Sequence, residues 1–358
     1  MRTDELDYEF DSTLIATHPV EPRDSARLLV VDRKSGGIAH RRVRDLPELL
    51  SAGDALVVNA TRVVPARVNF ERAGSGGRLE GLLLPGESTD RIGCYLKGAK
   101  KLRAGERLLL RAADDTCRGV FEVLGRQEEQ VMLRLLEGGP LSSLLEDAGH
   151  VPLPPYILSA RRGEAAFDRP DIEARDRDWY RTVYQHLGGQ FSVAAPTAGL
   201  HFTEPLLERL QTSGITRIDL ELEVGPGTFR PVTTETLEAH PMHRERFVVD
   251  DLAQAGLKQT RAHGGRILAV GTTSCRALES LPEVLPERTI ATDTDLLIAP
   301  GHRFRHVDLL LTNFHLPRST LLALVAALVG LDRLREVYAE AIAERYRFYS
   351  YGDAMLIL

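Results

Sequence analysis

The run "GGRILAVGTTSCRALES", residues 264–280, joins a strand pattern to a helix pattern through a single glycine. The apolar stretch ILAV predicts a buried strand that ends at Gly271, and the residues after the three hydroxyls predict a helix. This arrangement is typical of an α/β domain. Thr272 and Thr273 could simply cap the helix, or the helix start could bind a carboxylate or phosphate at the carboxyl edge of the sheet. The sequence leaves both interpretations open.

Strands and helices alternate on either side of this run. "ITRIDLELEVG" and "DLLLTNF" predict strands, whereas "EPLLERLQTSG" and residues 319–346, which begin with an apolar run, predict helices. Residues 67–147 differ, because five short strand-like runs are separated there by turn residues. We therefore expect an α/β main domain, residues 1–66 and 148–358, with an inserted small antiparallel β-barrel domain at 67–147. The proline-rich segment 149–158 is expected to be extended.

Composition narrows the class of protein. The chain has 358 residues, of which 43% are hydrophobic and 27% charged, as in soluble proteins of about two domains. Its three cysteines are widely spaced, which argues against a disulfide framework and a four-thiolate zinc site. The longest apolar run is too short to span a bilayer, and the acidic N-terminus lacks a secretory pattern. We expect a cytoplasmic protein without a membrane partner.

Charge argues against a general basic coat, because the net charge is −6. A local patch could still bind RNA. Three of the five lysines lie in "YLKGAKKLRAGERL", residues 95–108. This segment is either a solvated turn or a nucleic-acid contact. The candidate tRNA-binding residues are Lys97, Lys100, Lys101 and Arg103.

The loop "SVAAPTAGLHFT", residues 192–203, carries no charge unless His201 is protonated. Thr203 is predicted to be the N-cap of the next helix. Small side chains would let a ligand approach the backbone, and Gly199 permits a positive φ. The alternative is a tightly packed loop that contains a core histidine.

Three further polar stretches are candidates for the site. In "VGPGTFRPV", residues 224–232, Arg230 could meet a phosphate or carboxylate. In "EAHPMHRER", two histidines stand three apart, but Pro241 breaks the helix that would align them, so we expect acid–base chemistry and no metal site. The last stretch follows a strand and contains Asn313, His315, Arg318 and Ser319.

Taken together, the chain resembles the S-adenosylmethionine:tRNA ribosyltransferase-isomerase family over almost its whole length. No single matching string identifies the family, whereas ten such strings in the family's order do. The matching strings are "ATHPVEPRDSARLLVVDR", "NATRVVPAR", "GHVPLPPYI", "WYRTVY", "SVAAPTAGLHFT", "VGPGTFRPV", "HPMHRE", "AVGTTSCRALES", "TNFHLPRSTLL" and "YRFYSYGDAMLI".

The resemblance implies that S-adenosylmethionine donates its ribosyl group and is consumed, so that no further cofactor is needed. The acceptor would be the aminomethyl group of preQ1 at the tRNA wobble position, and the products epoxyqueuosine, adenine and methionine. The family chemistry begins with loss of a proton from the ribose 5′ carbon, for which His201, His243 and His315 are candidates. A monomer is expected. The expected substrate-binding residues are Arg62, Arg67, Tyr156, Thr197, Gly199, Thr203, Gly225, Thr228, Arg230, Glu245, Thr272, Thr273, Asn313, Arg318 and Ser319.

The chain also departs from the family pattern. Ala60, Arg181 and Glu223 stand where the family usually has Asp, Gln and His, and Thr292-Asp293 replaces a usual Gly-Trp. Ala60 and Glu223 could be a compensating exchange of one carboxylate, or two independent changes. Two other functions therefore stay open: a paralogue that uses S-adenosylmethionine on a non-tRNA amine, and a non-catalytic RNA-binding homologue.

Overall fold

The computed structural model describes residues 1–84, 89–162, 164, 171–186, 191–225 and 232–358. The chain forms two compact units. The large unit contains Met1–Arg62, Pro154–Glu164 and Trp179–Leu358, and the small unit contains Val63–Leu153 with the described residues of 165–178. Within the described ranges, every helix is too short or too polar to cross a membrane.

The strands run as follows in chain order: β1 (Arg27–Val31), β2 (Ile38–Arg42), β3 (Ala55–Asn59), β4 (Arg62–Val63), β5 (Arg67–Arg72), β6 (Arg78–Leu84), β7 (Ile92–Leu96), β8 (Arg107–Arg111), β9 (Cys117–Gln127), β10 (Gln130–Glu137), β11 (Phe191–Ser192), β12 (Thr216–Leu222), β13 (Glu245–Val249), β14 (Ile267–Val270), β15 (Ile290–Thr294), β16 (Leu309–Asn313) and β17 (Ala354–Ile357). The helices are α1 (Leu46–Leu49), α2 (Leu141–Ala148), α3 (Pro155–Ala160), α4 (Ile172–Trp179), α5 (Glu204–Thr212), α6 (Asp251–Ala262), α7 (Gly271–Glu279), α8 (Thr320–Val329) and α9 (Leu331–Ala343).

A nine-stranded mixed sheet is the framework of the large unit, in the order β15-β13-β12-β3-β14-β16-β17-β1-β2. Strands β12, β3, β14 and β16 are mutually parallel. Every residue of β3, β14 and β16 is buried, as expected for apolar strands covered on both faces. The carboxyl ends of these parallel strands therefore share one edge of the sheet, and the residues that follow them meet there.

Alternate residues of each central strand enter opposite cores. In β14, Ile267 and Ala269 face the core that contains buried residues of α6 to α9, whereas Leu268 and Val270 face the core that contains α1 and α5. This alternation fixes the register of the sheet, because a slip of one residue would exchange the two faces. The predicted α/β main domain is confirmed.

The small unit is built on a closed antiparallel barrel in the order β10-β7-β6-β5-β8-β9. "GSGG", residues 74–77, is a hairpin tip between β5 and β6. Helix α2 packs on the barrel core, and the unit extends beyond 67–147 because the segment after α2 is held by α4. In that second contact, Glu173 accepts a hydrogen bond from Val151 N at 2.9 Å, and Arg177 donates one to Gly149 O at 2.6 Å.

Two sequence predictions are wrong in detail. Residues 319–346 form two helices and not one, because Gly330 at φ +83° ends α8 and begins α9. The segment 149–158 is irregular only as far as Pro154, after which Pro155 takes the first position of α3. This helix places Tyr156 in the large unit.

Candidate active site

A cavity of about 620 Å³, including its open mouth, lies where β12, β14 and β16 of the large unit end. Its walls come from the segments after those strands, from α3 and from two loops. No Asp, Glu, Lys or Arg side chain is among the described residues that line it. The lining residues are Tyr156, Ala195, Pro196, Thr197, Ala198, Val224, Gly271, Thr272, Thr273, Thr312, Asn313, Phe314, His315, Leu316, Ser319, Leu321, Tyr349 and Ser350.

Helix α7 begins at this cavity. Gly271 has φ +86°, a conformation that a glycine adopts without strain, and it turns the chain from β14 directly into the helix. Among the described residues no side chain caps α7, so the interpretation of Thr272 and Thr273 as simple caps is wrong. Both threonines are buried in the wall, and Thr273 Oγ1 has no hydrogen-bond partner in the described structure.

The loop 192–203 supplies a second wall through Ala195 to Ala198, which precede and enter a short 3-10 helix, Thr197–His201. Gly199 is not in the lining and does not have a positive φ. A Cβ on Gly199 would lie 2.0 Å from the Tyr184 hydroxyl, so the glycine is required for packing. The loop is thus tightly packed at Gly199 and open to the cavity at its start.

Asn313, at the end of β16, connects the loop 192–203 to the segment before β17 through hydrogen bonds. Its Oδ1 accepts a hydrogen bond from Thr197 Oγ1 at 3.0 Å, while its Nδ2 is 3.1 Å from His201 Nε2 and donates to Tyr349 O at 3.1 Å. The amide nitrogen has no acceptor lone pair, so His201 Nε2 must be the acceptor and the imidazole is neutral. Burial, and then Arg347 and Arg23, lower the pKa of His201 to about 4.

His315 is the histidine among the described residues that lines the cavity. Its Nε2 lies 2.8 Å from Thr312 Oγ1, and its backbone N donates to the Tyr338 hydroxyl at 3.0 Å. Burial lowers the pKa of His315 to about 3, so the ring is neutral at neutral pH. One ring nitrogen of a neutral imidazole always carries a free electron pair that can accept a proton or a hydrogen bond.

Comparisons with known proteins agree with this architecture. Residues 3–357 match the model of a family described as queuosine biosynthesis protein. The chain belongs to this family. S-adenosylmethionine:tRNA ribosyltransferase-isomerases of Symbiobacterium thermophilum and Methylorubrum extorquens are 46% and 45% identical to it; the matches cover 100% of this chain and 100% and 97% of the relatives. A crystal structure of S-adenosylmethionine tRNA ribosyltransferase from Thermotoga maritima matches 99% of this chain and 100% of that chain, at 33% identity and a TM-score of 0.55. The resemblance found in the sequence is confirmed.

Two of the three histidine candidates lie outside the cavity lining. His201 stands behind Asn313 and is 4% exposed. His243 is exposed in the irregular segment before β13. The structure therefore brings only one candidate, His315, to the cavity wall.

Several expected substrate-binding residues are engaged elsewhere. Thr203 caps α5 by accepting from Leu206 N at 3.3 Å, which confirms the N-cap prediction, and its hydroxyl donates to Asp24 at 2.8 Å. Glu245 is buried in an ion pair with Arg276 of α7. Arg318 pairs with Asp7, and Arg67 lies in the small unit beside Glu80 and Glu173. Arg62 is half-buried in β4, and Gly225 follows β12 outside the cavity lining. Thr228 and Arg230 lie outside the described residues.

Ser319 and Tyr156 do line the cavity. Ser319 is also the N-cap of α8, where its Oγ accepts from Leu322 N at 3.2 Å. The Tyr156 hydroxyl lies 2.5 Å from Ser350 Oγ, and its ring centroid is 4.7 Å from that of Tyr349. Tyr349 also lines the cavity, but it was not among the candidates from the sequence. Its φ of +70° is unusual for a bulky residue, and the sequence gives no sign of that conformation.

The basic segment of the small unit is exposed. Lys100 and Lys101 end a 3-10 helix, Ala99–Lys101, between β7 and β8. Arg103 is exposed two residues later, whereas Lys97 donates to Glu80 at 2.7 Å. Exposure of these side chains agrees with a solvated turn and with a nucleic-acid contact, so both interpretations of the segment stay open.

Proposed function

We propose that the cavity binds S-adenosylmethionine and that this chain transfers and isomerises its ribosyl group onto tRNA, with release of adenine and methionine. The proposed acceptor is the aminomethyl group of preQ1 at the wobble position, which becomes epoxyqueuosine. One observation carries the proposal: segments 192–203, 269–280, 312–322 and 346–357, which all resemble the ribosyltransferase-isomerases, meet at one cavity. These segments are far apart in the chain, and the parallel strands bring them together.

The chemistry of the walls suits this donor. The rings of Tyr156, Phe314 and Tyr349 provide flat apolar surface of the kind on which an adenine packs. Among the described residues the lining carries no cationic side chain that would repel a sulfonium. The loop 192–203 contributes small, uncharged side chains to this wall. Ala195 and Ala198 let a ligand approach the backbone and place no unpaired charge beside it.

The proposed base is His315. Removal of a proton from the ribose 5′ carbon needs a neutral acceptor within the cavity, and His315 is neutral there. Thr312 fixes the ring through Nε2. The electron pair left on C5′ then expels the ring oxygen from C4′, and that oxygen becomes a carbonyl on C1′ as the glycosidic bond breaks and adenine leaves with a proton. The acceptor amine adds to C4′ and loses its proton, which returns the electron pair to C5′. C5′ then bonds to C1′, and the oxygen on C1′ displaces sulfur from C5′, which closes the epoxide and releases the thioether of methionine. In this scheme His201 is a positioning residue, because it acts through Asn313.

The proposal includes the setting of the reaction. S-adenosylmethionine is consumed, so no further cofactor is assigned, and the protein acts as a monomer in the cytoplasm. The tRNA is proposed to contact the exposed basic segment 97–103 of the small unit. Phosphate contacts of this kind position an RNA without reading its sequence.

The test is product analysis with S-adenosylmethionine and tRNA that bears preQ1. We expect stoichiometric adenine, methionine and modified tRNA from the wild type, and turnover lower by at least about tenfold for His315→Gln. His263→Gln is the matched control, because His263 is exposed at the end of α6, and it should keep full activity. Adenine without modified tRNA would favour the paralogue that uses a non-tRNA amine, and absence of both would favour the non-catalytic homologue.

A further inference from the structure

The start of α7 has hydrogen-bonding capacity that the described protein does not use. The first backbone N–H groups of any helix have no partner within it, and here no described side chain caps them. Thr273 is 7% exposed and lines the cavity, and its Oγ1 has no partner among the described residues. A Cβ on Gly271 would lie 3.6 Å from that oxygen and 3.6 Å from the Ala198 Cβ, so the glycine leaves a methyl-sized gap beside the oxygen.

We propose that this helix start and Thr273 bind the α-carboxylate of the amino-acid part of S-adenosylmethionine. The inference rests on the proposed function, since it assigns one group of the donor to one part of the cavity. The partial positive charge of a helix N-terminus favours an anion, and a threonine hydroxyl can donate to it. No described lining residue carries a cationic side chain that would otherwise pair with a carboxylate. Backbone N–H groups and hydroxyls are therefore the donors available to it.

Binding at this point would also orient the donor. The rings of Tyr156 and Tyr349 belong to α3 and to the segment before β17, not to the start of α7. A carboxylate on α7 leaves those rings for the adenine, with the sulfonium and ribose between the two ends. His315 follows β16, which is the neighbour of β14, and it lines the same cavity. In this orientation of the donor, His315 faces the ribose, whose 5′ carbon must lose its proton.

The helix offers a matched control for the buried hydroxyl. Ser274 is the next residue of α7, is fully buried, and its Oγ also has no hydrogen-bond partner in the described structure. Unlike Thr273, it is not in the cavity lining. Replacing a buried hydroxyl that has no partner by an apolar group of similar shape leaves stability unchanged or raises it. Thr273→Val and Ser274→Ala should therefore both fold, and their melting temperatures provide the check.

The test is equilibrium binding of two ligands, S-adenosylmethionine and decarboxylated S-adenosylmethionine, to the wild type and both variants. We expect the wild type to bind the complete donor at least about tenfold more tightly, as for a hydrogen bond to a charged group. Thr273→Val should lose about tenfold in affinity for S-adenosylmethionine and nothing for the decarboxylated analogue. Ser274→Ala should bind both ligands as the wild type does.

Other outcomes overturn the assignment in distinguishable ways. An equal loss for both ligands in Thr273→Val, or no loss for either, would remove the carboxylate from α7 while leaving the donor in the cavity. Weaker tRNA binding with unchanged donor binding in Thr273→Val would make the anion a tRNA phosphate, which also refutes the assignment. Failure of the wild type to bind S-adenosylmethionine would refute the proposed function itself.

Discussion

Acidification tests whether His201 is the neutral, buried acceptor that holds Asn313. The pKa of its imidazole falls from 6.5 to about 4 on folding, chiefly through burial. In the unfolded chain the same ring gains a proton near its ordinary pKa. Between those two values the unfolded state binds more protons, so stability falls as the pH is lowered. About pH 5 lies about 1.5 pH units below the pKa of the unfolded chain, and the folded ring is still neutral there. The free energy of unfolding is therefore lower by about 2 kcal/mol than at neutral pH.

His201→Gln isolates this contribution, since a glutamine carbonyl can still accept from Asn313 Nδ2. We expect the difference in unfolding free energy between wild type and variant to shift by about 2 kcal/mol against the wild type between about pH 7.5 and about pH 5. Urea unfolding followed by the single tryptophan, Trp179, measures it, because that residue belongs to the large unit. A difference that does not change with pH would mean that the folded His201 titrates like an exposed histidine, and the buried acceptor role would be wrong.

Two further predictions concern the basic segment and the departures from the family. The double variant Lys100→Glu with Lys101→Glu should weaken tRNA binding and lower the dependence of that binding on salt, with donor binding unchanged. Lys34→Glu, in an exposed turn of the large unit, is the control. An unaltered salt slope in the double variant would place the tRNA elsewhere. Ala60 and Glu223 directly follow the adjacent parallel strands β3 and β12, so a shared role is geometrically reasonable. If one carboxylate has been exchanged between them, Glu223→His should lower activity and added Ala60→Asp should restore it, whereas additive effects in that cycle of kinetic measurements would reject the exchange.

The fold was predictable where local pattern and tertiary environment agree. The runs that became β12, β14 and β16 are apolar or alternating and end at turn residues, and the tertiary structure buries them as that pattern requires. Strand β2 was not predicted, because its sequence IAHRR lies on the sheet edge and is largely exposed. Strand β13 was missed for a related reason, since its charged first residue, Glu245, is buried only because Arg276 pairs with it.

The site was predictable in its location more than in its contacts. Polar residues after β14 and β16 meet because parallel strands share an edge, and this follows from the sequence pattern alone. The sequence does not reveal that Asn313 separates His201 from the cavity, since that depends on side-chain direction in a 3-10 turn. Nor does it show that Gly199 is needed for the Tyr184 hydroxyl, a contact between segments that pack only in the folded chain.

The fate of the ribosyl group tests the central claim most directly. Two samples of S-adenosylmethionine, one labelled in the ribose and one in the methyl group, are each incubated with the protein and tRNA that bears preQ1. The ribosyl-transfer mechanism predicts that the ribose label enters the tRNA and that the methyl label leaves in free methionine. Methyl label in the tRNA, or tRNA that gains no ribose label although the donor binds, would contradict it.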